Sequence, residues 1–600
     1  MKKLLLLALA LSLLPACNTA KREPLASGPG TSSRSPAEVF ASYHEERLKL
    51  YPLEATFAGD NRYNDSLPNV LTDSWRTEAE AFYRKYLAAL GQYEGRSLSP
   101  EDQMSRDILK WECEVNLAQL RFPTHLLPID QFNSLNALHL QFGQWAIGTS
   151  AQPFKTVKDY DNWLKRLDGF TAWCHTAVTN MRTGMARGYV LPKALTQKVI
   201  PQMADLAKGP VEDHLFYTPI KNMPAEFSSD NRARLTRAYA AMVGEKIIPA
   251  FRNLEEFLTN EYLLASRRSS GISGIPKGKE YYALQIKIYT TTDMSAEDVF
   301  QLGQQEVKRL SAEMEGVKRA VGFQGSLKEF FVNVRTRKEL MPLSEPQQVI
   351  DHFNAIHRKM QPSLKRLFNL VPKTAFEVRR TEAFREASAS AEYIQGSIDG
   401  SRPGIFYVPI RDVAKYNILS DEDLFLHEAI PGHHYQISLQ QENARLPQFR
   451  RTLWYNAYGE GWALYSESLG KELGLYDDPY QYFGMLSAEM HRAIRLVVDT
   501  GLHAKGWTRE QAIQYSLDHE AAPESSIVAE IERYMAWPGQ ALSYKVGQLK
   551  IRALRARAEK QLGARFDIRE FHDQLLESGC LPLKLLEQKI DRWIREKRGA

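Results

Sequence analysis

A helix with histidines on both sides of residue 431 cannot run straight through it. The segment SDEDLFLHEAIPGHHYQISLQ (420–440) reads as a helix, with Ser420 or Asp421 as its cap and Glu422 and Asp423 at its positive end. Pro431 interrupts that reading, because it has no N–H for the carbonyl of His427 and its ring clashes there. Gly432 adds freedom at the same point. Without the break, His434 would lie roughly 10.5 Å beyond His427 along the axis, and His433 about 120° off that face. Neither arrangement lets two imidazoles approach one zinc ion to about 2.0–2.1 Å. Opened at Pro431-Gly432, the segment lets a histidine beyond the break swing back toward His427.

The residue types at that fold-back are those of a hydrolytic metal centre. Two neutral imidazoles and a carboxylate leave zinc an open position for water. Glu428, beside the first histidine, stands where a general base is needed. Three of the chain's 14 histidines and this glutamate fall within eight residues, which argues against four unrelated surface side chains.

The rest of the chain frames this centre. MKKLLLLALALSLLPAC opens with two lysines and an apolar run, the form of a secretory signal over residues 1–16. Cys17, directly after Leu14-Pro15-Ala16, is similar to the bacterial lipobox, in which the cysteine is acylated. Asn18, not an acidic residue, favours the outer membrane. Residues 17–36 form a polar Pro/Gly/Ser tether. No later stretch reaches 18 apolar residues, so the expected body lies outside the bilayer, faces the periplasm and is held by its lipid alone. Cys113, Cys174 and Cys580 match no zinc-knuckle spacing; one pair could oxidise, and spacing does not select it. A net charge of +5 over 600 residues, with no basic stripe, gives nucleic-acid binding little support. No glycine-rich phosphate loop follows a strand, so no organic cofactor is expected. No oligomeric state follows from the sequence.

Helical periodicity dominates residues 37–600. Large apolar residues recur three and four apart over 37–52, 73–90, 105–122, 157–185, 231–266, 295–320 and 345–367, and again over most of the chain after 420. TAFEVRR (374–380) and GIFYVPI (404–410) read instead as strands of a small antiparallel sheet. GIFYVPI, with Tyr407 in it, would be an edge strand beside the metal helix, able to hold an extended peptide. The length suits two large lobes, with a weak break in SSGISGIPKGK, near 270–280.

HEAIPGHHYQ together with EGWALYSE (460–467) resembles a family of bacterial proteins known as DUF885, which is grouped with the gluzincin metallopeptidases. The resemblance covers most of the chain after the tether. It implies a mainly α, two-lobed metallopeptidase-like fold with a deep cleft and a single zinc ion. Related gluzincins carry a Gly-His after the glutamate; aligned on Gly432-His433, it makes His433 the second ligand after His427. His434 is then the alternative ligand, or a residue facing substrate. Gluzincins take a third ligand from the following helix, which implies Glu460, 27 residues after His433. Gly461 would let a neighbouring backbone come close. Glu467 shares the face of Glu460 and would orient a ligand histidine or bind a substrate amine.

Other candidates line the rest of the expected cleft. Arg533-Tyr534 resembles an Arg-Tyr pair of the peptidyl-dipeptidase branch, in which the tyrosine steadies the oxyanion. Tyr544, next to Lys545, is the second candidate donor. Arg492, Arg495 and Asp499 recur at helical spacing, with Arg495 and Asp499 as an i,i+4 pair and His503 beyond a helix-ending Gly501. Arg492 would bind a substrate carboxylate or tie two helices together. The expected activity is zinc-dependent hydrolysis of short peptides, with the cleavage position left open. A peptide-binding lipoprotein with a residual metal site, or a hydrolase of another amide or ester, are the alternatives.

Overall fold

Amphipathic spacing becomes helix nearly wherever the sequence predicts it. In a computed structural model of the chain, the described residues are 34–132, 152–382, 386, 389–398, 400 and 402–599. The signal segment, Cys17 and most of the tether lie outside them. The principal helices before the sheet are α1 (Pro36–Leu50), α2 (Asp73–Gly91), α3 (Pro100–Leu120), α4 (Val157–Arg187), α5 (Ala296–Ala320) and α6 (Pro346–Leu367). A nearly continuous helical run also spans 229–265. Reciprocal capping boxes, Thr156 with Asp159 and Ser295 with Asp298, start α4 and α5. After the sheet come α7 (Asp421–Glu428), α8 (His433–Glu442), α9 (Asn456–Glu467), α10 (Pro479–Ala504), α11 (Glu524–Ala536) and α12 (Ser543–Leu562).

Two apolar cores hold these helices together, and residues 36–600 form one compact unit. One core is built from α4 and the 229–265 run, around Trp163, Phe170 and Phe251. The other contains the helices after the sheet. The loop near 270–280 buries Ile272 and Ile275 in this second core. Helix α9 is buried on nearly all sides, with Trp462, Leu464 and Tyr465 at most 1% exposed. Each such side chain contributes about 1.5–3 kcal/mol by burial. Its partner is α12, and their backbones touch: a Cβ on Gly461 would lie 2.5 Å from the Gly547 Cα.

The sheet departs from expectation. Strands β1 (Phe376–Arg380), β2 (Glu392–Ile394) and β3 (Gly404–Val408) lie in the order β1-β3-β2. The two predicted strands pair in parallel, and β2 is antiparallel to β3, so the sheet is mixed. The long 381–403 connection provides the crossover that a parallel pair requires. GIFYVPI therefore supplies the central strand, not an edge. Its hydrogen-bonding sides are taken by β1 and β2, and no peptide can add there.

Cys113, Cys174 and Cys580 are buried free thiols, so no pair among them is oxidised. Among the described residues, no helix is long and apolar enough to cross a membrane.

Candidate metal centre

The predicted 420–440 helix is two helices. Helix α7 stops before Ala429, the Ile430–Pro431 peptide is cis, and α8 starts again at His433. The indole N–H of Trp462 donates to the Pro431 carbonyl at 2.8 Å and ties the fold-back to α9. Only glycine fits at 432, where a Cβ would lie 2.0 Å from the His427 carbonyl oxygen and 2.3 Å from that of Leu426. The acidic residues at the start of α7 are buried, and Ser420 makes no side-chain cap. Asp421 accepts from the Tyr416 hydroxyl at 3.1 Å, and Glu422 from the Tyr476 amide at 2.6 Å. They bind neighbouring elements as well as facing the helix dipole.

The fold-back brings His427 and His433 together, with ring centroids 4.8 Å apart. Glu460 reaches between them from α9. Its Oε2 is 3.6 Å from His427 Nε2 and 3.5 Å from His433 Nε2. Those separations exceed the 2.7–3.2 Å range typical of an N–H···O hydrogen bond. They match the roughly 3.3–3.4 Å between ligand atoms around a tetrahedral ion with bonds near 2.0–2.1 Å. All three ligand atoms lie within 4.8 Å of one another. The donor set is one that could hold a divalent cation such as zinc.

Electrostatics favour a cation as well. Burial opposes charge on Glu460, yet the two imidazoles hold its carboxyl well below the usual range. Burial likewise disfavours protonated His427, but Glu460 and Glu467 outweigh it and push its pKa up to about 10. The carboxylates make this a place where positive charge is stabilised.

Behind the candidate ligands lies a layer of buried hydrogen-bonding groups. His427 Nδ1–H donates to Glu467 Oε1 at 2.6 Å, which leaves Nε2 to face Glu460. Asp423 stands behind Glu467; burial and the neighbouring carboxylate push its pKa well above the usual range. The Tyr476 hydroxyl donates to the Glu467 carbonyl at 3.0 Å. Asp423 escapes notice in the sequence because it reads as a dipole-facing acid, although it precedes His427 by one helical turn. Glu467→Gln is expected to weaken zinc binding about 10–100-fold by loosening His427. A competition titration with a zinc chelator measures this, and unchanged affinity would remove Glu467 from the site.

His434 does not join the cluster. It turns to the sheet, where Nδ1 lies 3.0 Å from the Tyr393 hydroxyl and the ring packs 4.9 Å from Phe376. Burial lowers its pKa to about 4, so it is a neutral imidazole. Neighbouring positions on α8 point in different directions, which separates the two histidines. Trp454, which sequence reasoning missed, packs 5.7 Å from the His433 ring; no local pattern marks it.

The centre opens into a cleft of about 1080 Å³, lined by Glu428, Tyr393, Arg492, Arg495, Arg533 and Tyr544 among others. Burial raises the pKa of Glu428, Glu460 raises it further, and the imidazoles and Arg492 oppose this. Tyr544 is on the cleft wall, with Gln540 Nε2 3.4 Å from its hydroxyl. Tyr534 is turned away: its hydroxyl donates to Glu530 at 2.6 Å and accepts from Arg495 Nε at 2.9 Å.

Several other expected cleft residues have structural roles instead. Lys545 is buried in ion pairs with Glu489 at 2.5 Å and Glu306 at 2.9 Å. His503 bridges helices, accepting from the Ile272 amide at 2.8 Å and meeting the Tyr534 carbonyl at 3.0 Å. Gly501 does not end α10, which continues to Ala504. Asp499 pairs with the Tyr282 hydroxyl at 2.6 Å and not with Arg495, which turns to Glu530. Tyr407 is on the central strand beside Arg379 and is not among the residues that line the cleft.

Residues 52–590 match the family described as bacterial proteins of unknown function (DUF885), and the chain belongs to it. Its fold is similar to the crystal structure of a presumptive lipoprotein from Colwellia psychrerythraea, at a TM-score of 0.84 and 29% identity. That match covers 94% of this chain and 99% of the other. A presumptive lipoprotein of unknown function from Shewanella oneidensis shares the fold at a TM-score of 0.65 and 18% identity, over 92% of this chain and 99% of its own. No curated protein matches the sequence.

Proposed function

We propose that this DUF885 protein is a zinc-dependent hydrolase of peptide bonds in short peptides. A lipid on Cys17 anchors it in the bacterial cell envelope, at the outer membrane and facing the periplasm. The lipobox-like Leu14-Pro15-Ala16-Cys17 supports the anchor, as does the lipoprotein description of both structural neighbours. One observation carries the catalytic reading: His427, His433 and Glu460 converge beside Glu428 at the floor of an open cleft.

His427, His433 and Glu460 would hold the ion, which when bound supplies Lewis acidity, polarising a carbonyl and lowering the pKa of a water. Glu428 takes a proton from the attacking water. It then delivers that proton to the leaving nitrogen as the C–N bond breaks, so water and peptide become an acid and an amine. Tyr544 supplies a hydroxyl donor toward the developing oxyanion. Glu467 keeps His427 in one orientation.

Metal analysis and peptide turnover on the same purified chain test this reading. About one zinc per chain is expected, with release of new amino groups from peptides of a few residues. A chelator should abolish turnover and added zinc restore it. Protein without stoichiometric metal would sink the proposal. Metal with peptide binding but no turnover would favour the binding lipoprotein, and turnover confined to other acyl compounds would favour the ester or amide hydrolase.

A further inference from the structure

We infer that Arg492 and Arg495 form a site for the free C-terminal carboxylate of a peptide, so that the cleft admits peptides by that end. The cleavage part of this inference rests on the hydrolase reading; the binding part does not.

The observation behind it is a surplus of guanidinium donors. Arg492, Arg495 and Arg533 all line the cleft. Glu530 accepts from Arg495 at 3.0 Å and from Arg533 at 3.0 and 3.1 Å, and it also holds the Tyr534 hydroxyl. The acids around Arg492, Glu428 and Asp423, influence it only at longer range. The other acid on this wall, Glu520, is taken by His491 at 2.6 Å. Arg492 makes no ion pair among the described residues, and its one hydrogen bond is a 3.4 Å contact to the Ala488 carbonyl of its own helix.

Two donors are left over. Arg492 Nε and Arg495 Nη1 are both buried without an acceptor. Arg495 itself is only 7% exposed. A buried guanidinium N–H without an acceptor is costly, and a ligand that supplies one is bound correspondingly well. Two such groups one helical turn apart suit the two oxygens of a carboxylate.

Distance gives the polarity. The guanidinium carbons of Arg495 and Arg492 lie 4.5 and 6.0 Å from the Tyr544 ring centroid. Tyr544 in turn lies within electrostatic reach of the ligand Glu460. Tyr544 thus stands near the arginines and on the same cleft wall that leads to Glu460. A carboxylate held there would leave only a short stretch of peptide between it and the scissile bond. The product is then a short fragment from the C-terminus.

Calorimetry on the full-length Glu428→Gln chain tests the binding without turnover. Ala-Ala-Ala is expected to bind at least about tenfold tighter than its C-terminal amide, and acetyl-Ala-Ala-Ala as tightly as the free tripeptide. Arg492→Ala in the same background should erase the acid-over-amide preference, with thermal melting checking that the chain remains folded. Equal affinity for acid and amide, or no measurable binding of the acid, would overturn the site. In the active chain, amidating a substrate should lower kcat/KM by about 100-fold, on the scale of a lost charge-assisted pair. Unchanged kcat/KM on amidation would overturn the C-terminal polarity while leaving the hydrolase reading intact.

Discussion

Replacing Glu428 with glutamine is expected to lower kcat on a short peptide by about 10²–10⁴-fold, the usual contribution of a general base. The substitution is isosteric and removes only the ability to take a proton. Glu428 follows His427 on α7 but is not one of the three converging ligand groups, so metal content should remain at the wild-type level. Parallel measurement of bound zinc and single-turnover cleavage separates the two quantities. An active Glu428→Gln chain would eliminate this residue as the base. Loss of metal in that variant would mean that Glu428 is a ligand, and the division of roles would have to be redrawn.

Gly432→Ala should damage the centre from the opposite direction, through the backbone alone. The added methyl would sit 2.0 Å from one carbonyl oxygen and 2.3 Å from another, both backbone atoms that no rotamer change can move. Overpacking of this kind costs at least about 1–3 kcal/mol. The chain can relieve it only by opening the α7–α8 junction, which carries His433 away from His427. Zinc affinity should fall by at least about 100-fold, the upper end of what a mere supporting residue costs. Chelator competition and thermal melting with and without zinc provide the check. Wild-type affinity and an unchanged melting temperature would show that the fold-back does not hold the centre together.

What could be read from the sequence follows the range over which each feature is determined. Helices such as α4 and α5 were legible because periodicity and capping are local. Proline alone does not force a break, since α6 runs through Pro362. The interruption at Pro431-Gly432 is legible because proline removes an N–H and crowds the preceding turn while glycine frees the backbone beside it. The pairing of 376–380 with 404–408 was not, because strand direction depends on a crossover that no short pattern records. The roles of Tyr534 and Tyr544 depend on which way α11 and α12 leave the Pro538-Gly539 turn. Helical spacing predicts Asp499 as the partner of Arg495, whereas tertiary packing offers it Glu530 from α11. Local rules pick out candidate residues; contacts between distant elements decide which of them meet.

The contact between Gly461 and Gly547 has a consequence for how such a centre can change. Glu460 precedes one of these glycines, and Tyr544 is a single helical turn before the other. The carboxylate and the phenol are therefore carried on two main chains in direct registration, with no side chain between them to absorb a shift. Any enlargement at either glycine would displace both groups at once, so their relative spacing can be retuned only by rebuilding the whole helix pair.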